Sequence, residues 1–540
     1  MTGARPGDWT RCDDRRLGRR RWPIGLLALI LAVACTASSP APPDTLRLAL
    51  INDPILNPVL APDLGSVMVN KVIFPGLVRP DERLRPEPDL AESWTASPDG
   101  KTWTFALRRG VKWHDGVPFS AGDVRFTFER ILDPRSGSLL WSDFSVIDRI
   151  ETPDSLTVRF VLKTRFAAFL TLLGYNAGII PEHAFHGRPI YEAADFNRRR
   201  PIGTGPFRVV DAVPGASLTL EVNPDYYGAK PRLRRVVFKL VPDASAQVAQ
   251  LRAGELDLVT LEPASLPGVE HAPGITIREA VVPQHYYVAF NQRRPLLKPV
   301  LVRRALDLAV NRRAIVEGVL KGSADLPVGT IPVALPDWFA DSLERVPYDT
   351  ARARRLLAEA GWRRGAGGGG GGGGLLRNDI GEPFRLTLLV DKGNPSREQA
   401  ALAVLQDLRA VGVDATMQTL EFAALVRDYL QPGRYDAILI WWTTPPDPDQ
   451  YSYYATGQIN NNVAWSNPRA DSLLLAGRGE TDTVRRRAIY LAFQALERED
   501  PPVLVLYYPR EVQAMSSRLS GVPKLGVRDA LRHVEAFGFR

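Results

Sequence analysis

Cysteine is nearly absent. Among 540 residues only Cys12 and Cys35 occur, so no internal disulfide can staple the body and its stability must come from burial. Histidine is scarce, at six. His183 and His186 could share a helix face, but His114, His271, His285 and His533 are scattered, a pattern of surface or packing histidines rather than of a metal cage. No metal and no cofactor is expected. The nucleophile elbow G-x-S-x-G, the zinc motif H-E-x-x-H and the P-loop are all missing. That argues against an enzyme, although the two carboxylates of a glycosidase would leave no motif. A dominant charge is missing too: the formal +8 shrinks once residues 1–34, with seven Arg against three Asp, are set aside. The remaining excess forms no basic stripe, so no nucleic-acid partner is expected. Beyond residue 35 no apolar run reaches transmembrane length.

What is present is ordinary for a folded protein: 45% hydrophobic and 24% charged residues in a chain long enough for two or three lobes. The first 34 residues read as a signal peptide. Arg15, Arg16, Arg19, Arg20 and Arg21 precede the apolar run Ile24–Ala34, which is too short to span a bilayer comfortably. Ala32-Val33-Ala34 before Cys35 resembles a lipobox, with Ala32 where Leu is commoner. The implied product is an exported lipoprotein of the cell envelope, held to the membrane by lipid on Cys35. The other reading is a plain secretory leader with a chance cysteine. Residues 35–44, small and Pro-rich, would be a tether.

Turn and period signals order the body. Ser97-Pro98-Asp99-Gly100 is a turn. Thr102–Leu107 alternates as a strand with one buried face, and Ser120 is placed to cap a helix that carries Asp123 in its first turn. Gly203 and Gly205, in the run Pro201 to Phe207, force a tight path into a strand from Phe207. Tyr286–Asn291 reads as a strand, Val300–Ala309 as an amphipathic helix, and Asp349–Ala360 as a helix stopped by Gly361. Eight consecutive glycines, 367–374, are read as a surface loop. From Arg385 the elements alternate: strand 386–390, helix 396–411 capped at Ser396, strand 414–420, helix 422–430, strand 435–442. Such alternation predicts a βαβ lobe with a largely parallel core.

The segment DLAESWTASPDGKTWTFALRRGVKWHDGVPFSAGDVRFTFER, residues 89–130, closely resembles the family 5 extracytoplasmic solute-binding proteins that serve ABC importers. So do Pro201–Phe207, Asn223–Tyr227, Leu251–Asp257 and the stretch from Phe290 to Ile315. The resemblance implies a carrier rather than an enzyme. It also implies an α/β, bilobal periplasmic-binding-protein fold of type II with an additional α+β domain. Lobe I would take 45–76, 201–278 and 511–540, the extra domain 77–200, and lobe II 279–510. Its partners would be a peptide or peptide-like solute and the permease subunits, the chain itself acting as a monomer. A nickel complex, another non-peptide solute, or a sensor role on the same fold stays open.

The candidate solute contacts follow the last strand of the βαβ lobe, where ligands of open α/β sheets lie. Trp441 and Trp442, with Asp447-Pro448-Asp449, resemble the family's cleft motif; as plain structure the tryptophans would be core and the prolines a turn. Tyr286 and Tyr287 alternate, so one should face the cleft. Lys392 sits where a basic residue of peptide-binding relatives can meet a carboxylate, or else is a solvated surface lysine. Asn460, Asn461, Asn462 and Trp465 could border the cleft, or form a turn. Aligned backward from Asp447, Thr444 takes the place where peptide-binding relatives carry an Asp that meets the ligand's amino terminus. A hydroxyl brings no charge there, so the solute either lacks a free α-amine or places its cation elsewhere, with Asp447 a candidate.

Overall fold

A computed structural model describes residues 44–364, 374–458 and 460–540. The leader, Cys35 and, apart from Gly374, the glycine run lie outside them. β1 (Thr45–Leu50) buries Leu46, Leu48 and Leu50. α1 (Leu64–Ile73) follows, started by Asp63, whose carboxylate accepts from the Ser66 amide at 3.0 Å; this satisfies one of the free donors of the first turn.

The next region has an antiparallel sheet of its own. Its strands β2 (Ala91–Ala96), β3 (Thr102–Leu107), β4 (Ile147–Asp154) and β5 (Thr157–Leu162) are ordered β2-β3-β5-β4. The alternation read from the sequence is the buried face of β3: Trp103, Phe105 and Leu107. α2 (Ala121–Leu132) covers it, with the Phe128 ring edge-on to Phe160 at 4.9 Å. The Asp123 carboxylate accepts from the Ser120 amide at 2.9 Å, so the first turn is closed from the acidic side of the pair.

The chain then returns past α1. A Cβ on Gly203 would stand 2.0 Å from the Ile73 carbonyl oxygen, and one on Gly205 2.4 Å from that of Val72. Both positions therefore need glycine for close approach, not for a turn. β6 (Phe207–Val213), β7 (Ser217–Val222) and β8 (Arg235–Leu240) pair antiparallel in sequence, and β8 lies parallel to β1. β9 (Leu258–Leu261) takes the other side of β1, and β10 (Ile275–Val281) follows.

A second ladder begins at β11 (Gln284–Phe290). α3 (Val300–Ala309) packs on α4 (Thr350–Glu359), and Asp349 caps α4 by accepting from the Arg352 amide at 2.8 Å. β12 (Arg385–Asp391), α5 (Pro395–Ala410), β13 (Asp414–Leu420) and β14 (Ala437–Thr443) complete the expected alternation. α5 is capped by Asn394, not Ser396: the Asn394 side chain accepts from the Arg397 amide, and Pro395 fills the first helical position, where no amide is needed. In this ladder β13, β12 and β14 are mutually parallel, but β11 runs antiparallel to β14, so its core is mixed. The segment Phe422–Leu430 is one α-turn followed by a wider π-helical stretch.

After α6 (Thr483–Glu499), β15 (Leu504–Ser516) joins everything. Its first residues pair with β11 and its last with β9 and β10. The two ladders thus communicate through one continuous strand and through the short step from β10 to β11. Among the described residues no helix is long and apolar enough to cross a membrane.

Candidate functional site

β14 ends in Trp441-Trp442-Thr443 and lies beside β11, with His285 opposite Trp442 and Tyr286 opposite Trp441. Successive strand residues face opposite ways. His285 and Tyr287 therefore share a face with Ile440 and Trp442, and Tyr286 shares the other with Trp441. The first face borders a chamber of about 390 Å³. Phe422, Gln450 and Tyr453 close it from other segments, and Asn460 and Asn462 add amides. Among the described residues no Asp, Glu, Lys or Arg lines it.

The walls are aromatic and tightly paired. Trp442 and Tyr453 have ring centroids 4.2 Å apart, His285 and Tyr287 5.2 Å. Burial alone pushes the His285 imidazole down to about 3, so it is neutral at any pH near 7. Burial likewise pushes the Tyr287 and Tyr453 phenols up. Gln450 is fixed from behind by Thr330, whose hydroxyl lies 2.5 Å from its carbonyl oxygen and 2.6 Å from the buried carboxyl of Glu497.

A second cavity of about 420 Å³ adjoins this one at Thr443. It is lined by the end of β1, by β9 and by the 282–284 step, and unlike the first it carries charges: Glu262, Glu511, Arg528 and Asp529. Glu262, just after β9, accepts from the Asn394 side chain at 3.1 Å and the Ser396 hydroxyl at 3.2 Å. One carboxylate thereby ties the first ladder to the start of α5 in the second.

Of the residues singled out in the sequence, Tyr287 and Trp442 come together at the chamber with Asn460 and Asn462, while Trp441 reaches its rim beside Phe422 with its ring stacked on Tyr286 on the other face. Tyr286 turns to the other face, stacked on Tyr507 at 4.8 Å and approached by Arg397. Thr444 is buried with its hydroxyl unpartnered, and its neighbour Thr443 is the one that lines the chamber. Three expectations are corrected. Asp447 is not free for a solute cation: Arg486 grips both its oxygens at 2.6 Å, and both side chains are 5% exposed. Lys392 is a surface lysine, its ammonium 2.6 Å from Glu421 at an exposed position. Asn461 folds its own loop, donating to the Ala455 and Trp465 carbonyls and accepting from the Trp465 amide. Trp465 is core, against Tyr454 and Phe493.

The His pair is apart from this site. His183 meets Asp115 at 2.8 Å near the surface, and among the described residues no three His, Cys, Asp or Glu side chains gather as a metal site.

Comparison with known proteins decides the family. Residues 85–462 match the family described as bacterial extracellular solute-binding proteins, family 5 Middle. The chain belongs to that family. The oligopeptide-binding protein AppA of Bacillus subtilis (strain 168) is 31% identical over 496 residues, covering 90% of each chain. The structure of AppA from Bacillus subtilis with a nonapeptide superposes with a TM-score of 0.79 at 29% identity, over 92% of this chain and 99% of that one. NikZ from Campylobacter jejuni with Ni(L-His) gives 0.78 at 26% identity, over 92% and 100%. As a family 5 protein the chain has the periplasmic-binding-protein α/β fold and is a solute-binding protein.

Within this family 5 chain, the sequence offered no candidate at Phe422, Gln450 or Tyr453 on the chamber wall, nor at His285 on that wall or Arg397 against the Trp441 ring. His285 had a signal: it precedes Tyr287 by two residues on one strand, which puts both on one face. Arg397 had none. Its guanidinium lies 4.0 Å from the Trp441 ring and is paired with Asp391, a contact that depends on how α5 docks on the ladder.

Proposed function

We propose that the chain captures a peptide or peptide-like solute between its lobes and hands it to the membrane subunits of an ABC importer. The observation that carries this is the aromatic chamber, edged by amides and lined by no charged side chain among the described residues. Such a surface holds a peptide by stacking and backbone-type hydrogen bonds without demanding one sequence. The kinship with AppA, named for oligopeptides, supports it. In this reading lobe I is 45–76, 201–278 and 511–540, lobe II is 279–510, and 77–200 is a separate α+β domain. The solute favours the closed arrangement because only there do both lobes touch it. Cleavage before Cys35 and lipid on its thiol would keep the monomer in the cell envelope, near the permease.

The similarity to NikZ, solved with Ni(L-His), favours a second reading in which a nickel complex or other non-peptide solute fills the cleft. Mass spectrometry of small molecules released from natively purified protein separates the two. Peptides are the expected result. A metal chelate in their place would move the function to the second reading.

A further inference from the structure

We infer that His285 contacts the solute directly, and that the chamber it lines takes an uncharged, aromatic part of the solute bearing one hydrogen-bonding group. The inference rests on the peptide-type reading above and names what that site selects.

The first ground is an unmet hydrogen-bond demand. His285 is 1% exposed and lines the chamber, yet among the described residues neither ring nitrogen has a partner. Half-buried imidazoles elsewhere among the described residues have partners. His114 accepts from the Gly203 amide at 3.1 Å and meets the Gly205 carbonyl at 3.2 Å, and His533 meets the Pro80 carbonyl at 3.1 Å. A buried polar group without a partner is costly, and a native structure keeps one where something else completes it.

The second ground is the lining itself. With no Asp, Glu, Lys or Arg on the wall among the described residues, an ammonium or carboxylate entering the chamber would lose its water and gain no counter-ion from it. His285 cannot supply one, because burial holds its imidazole neutral.

Shape is the third. Tyr287, Trp442 and Tyr453 present ring faces and edges close together, a surface suited to another planar ring. A neutral imidazole offers one donor and one acceptor, so a phenol hydroxyl can be met in either sense. The matching solute portion is a tyrosine-like side chain.

Titration calorimetry on the mature chain tests this with alanine pentapeptides whose central residue is Tyr, Phe, Lys or Glu. The Tyr peptide should bind tightest, with the Lys and Glu peptides at least about tenfold weaker. His285→Leu should abolish the Tyr-over-Phe preference, about tenfold in size, while leaving the Phe peptide unchanged; His285→Asn should restore part of it. The wild-type ranking stands as a test even if a variant fails to fold. Lys or Glu peptides binding as tightly as Tyr, or a Tyr preference surviving in a folded His285→Leu, would overturn the inference while leaving peptide capture intact. If none of the four binds, peptide capture itself falls and this inference with it.

Discussion

Asp447→Ala should destabilise the protein by about 3–5 kcal/mol, the usual result of removing one partner from a buried ion pair. Both partners are almost out of solvent, and Arg486 spends two of its nitrogens on the two carboxylate oxygens. Its third nitrogen, Nε, donates to the Gly477 carbonyl at 2.8 Å, while the guanidinium lies over Trp338 and Tyr490. With Asp447 gone, the cation stays packed among aromatic rings and has no route to water. The double change Asp447→Leu with Arg486→Met should recover most of the loss, because a well-packed apolar pair often equals a buried ion pair. Chemical denaturation of the three proteins reads this out. A mild effect of Asp447→Ala alone would mean that the carboxylate is not structural and would return it to the list of solute contacts.

Glu497 should make stability fall as pH rises towards neutrality. Burial pushes its carboxyl up to about 7, against hydrogen bonds from the Thr330 hydroxyl and amide that favour the ionised form. The contacts themselves ask for a proton. The one hydrogen of the Thr330 hydroxyl cannot serve both the Gln450 carbonyl at 2.5 Å and a Glu497 carboxylate at 2.6 Å. A protonated Glu497 that donates to Thr330, which in turn donates to Gln450, satisfies all three. A carboxyl whose folded pKa lies above its unfolded value near 4.5 contributes stability that is complete below about 4.5 and lost as pH rises through about 7. The slope is at most about 1.4 kcal/mol per pH unit, so a few kcal/mol are at stake in total. Glu497→Gln supplies a permanent donor and should be more stable than the wild type at pH 8, the gap closing at pH 4.5. Parallel pH profiles for the two proteins would show that Glu497 titrates normally in the fold.

Local pattern was legible wherever burial follows chain period. The helix Val300–Ala309 was read to its last residue because Val302, Ala305, Leu306 and Ala309 are buried at helical spacing. Strand Thr102–Leu107 was equally clear from alternation. The start of α5 was misread because two capping residues flank Pro395, and the proline, placed at the first helical position, is what selects Asn394. At the site, Tyr287 and the tryptophan pair could be named from strand period and the place of the loop. The partners of charged residues could not. Asp447 finds Arg486 across 39 positions, and no local feature says whether an acid in such a loop meets a solute or the protein's own arginine. Lys392 meets Glu421, on the turn after the neighbouring strand β13, a pairing fixed by sheet register. His285 belongs to no motif, and its place on the chamber wall follows only from sharing a strand face with Tyr287.

The most direct test is a crystal structure of the natively purified protein with its solute bound. The expected result is solute density in the cleft, one portion enclosed by Tyr287, Trp442 and His285, with Glu262 still bonded to Asn394 and Ser396 across the lobes. Solute resolved elsewhere, with the aromatic chamber left unfilled, would contradict the assignment of this chamber as the capture site.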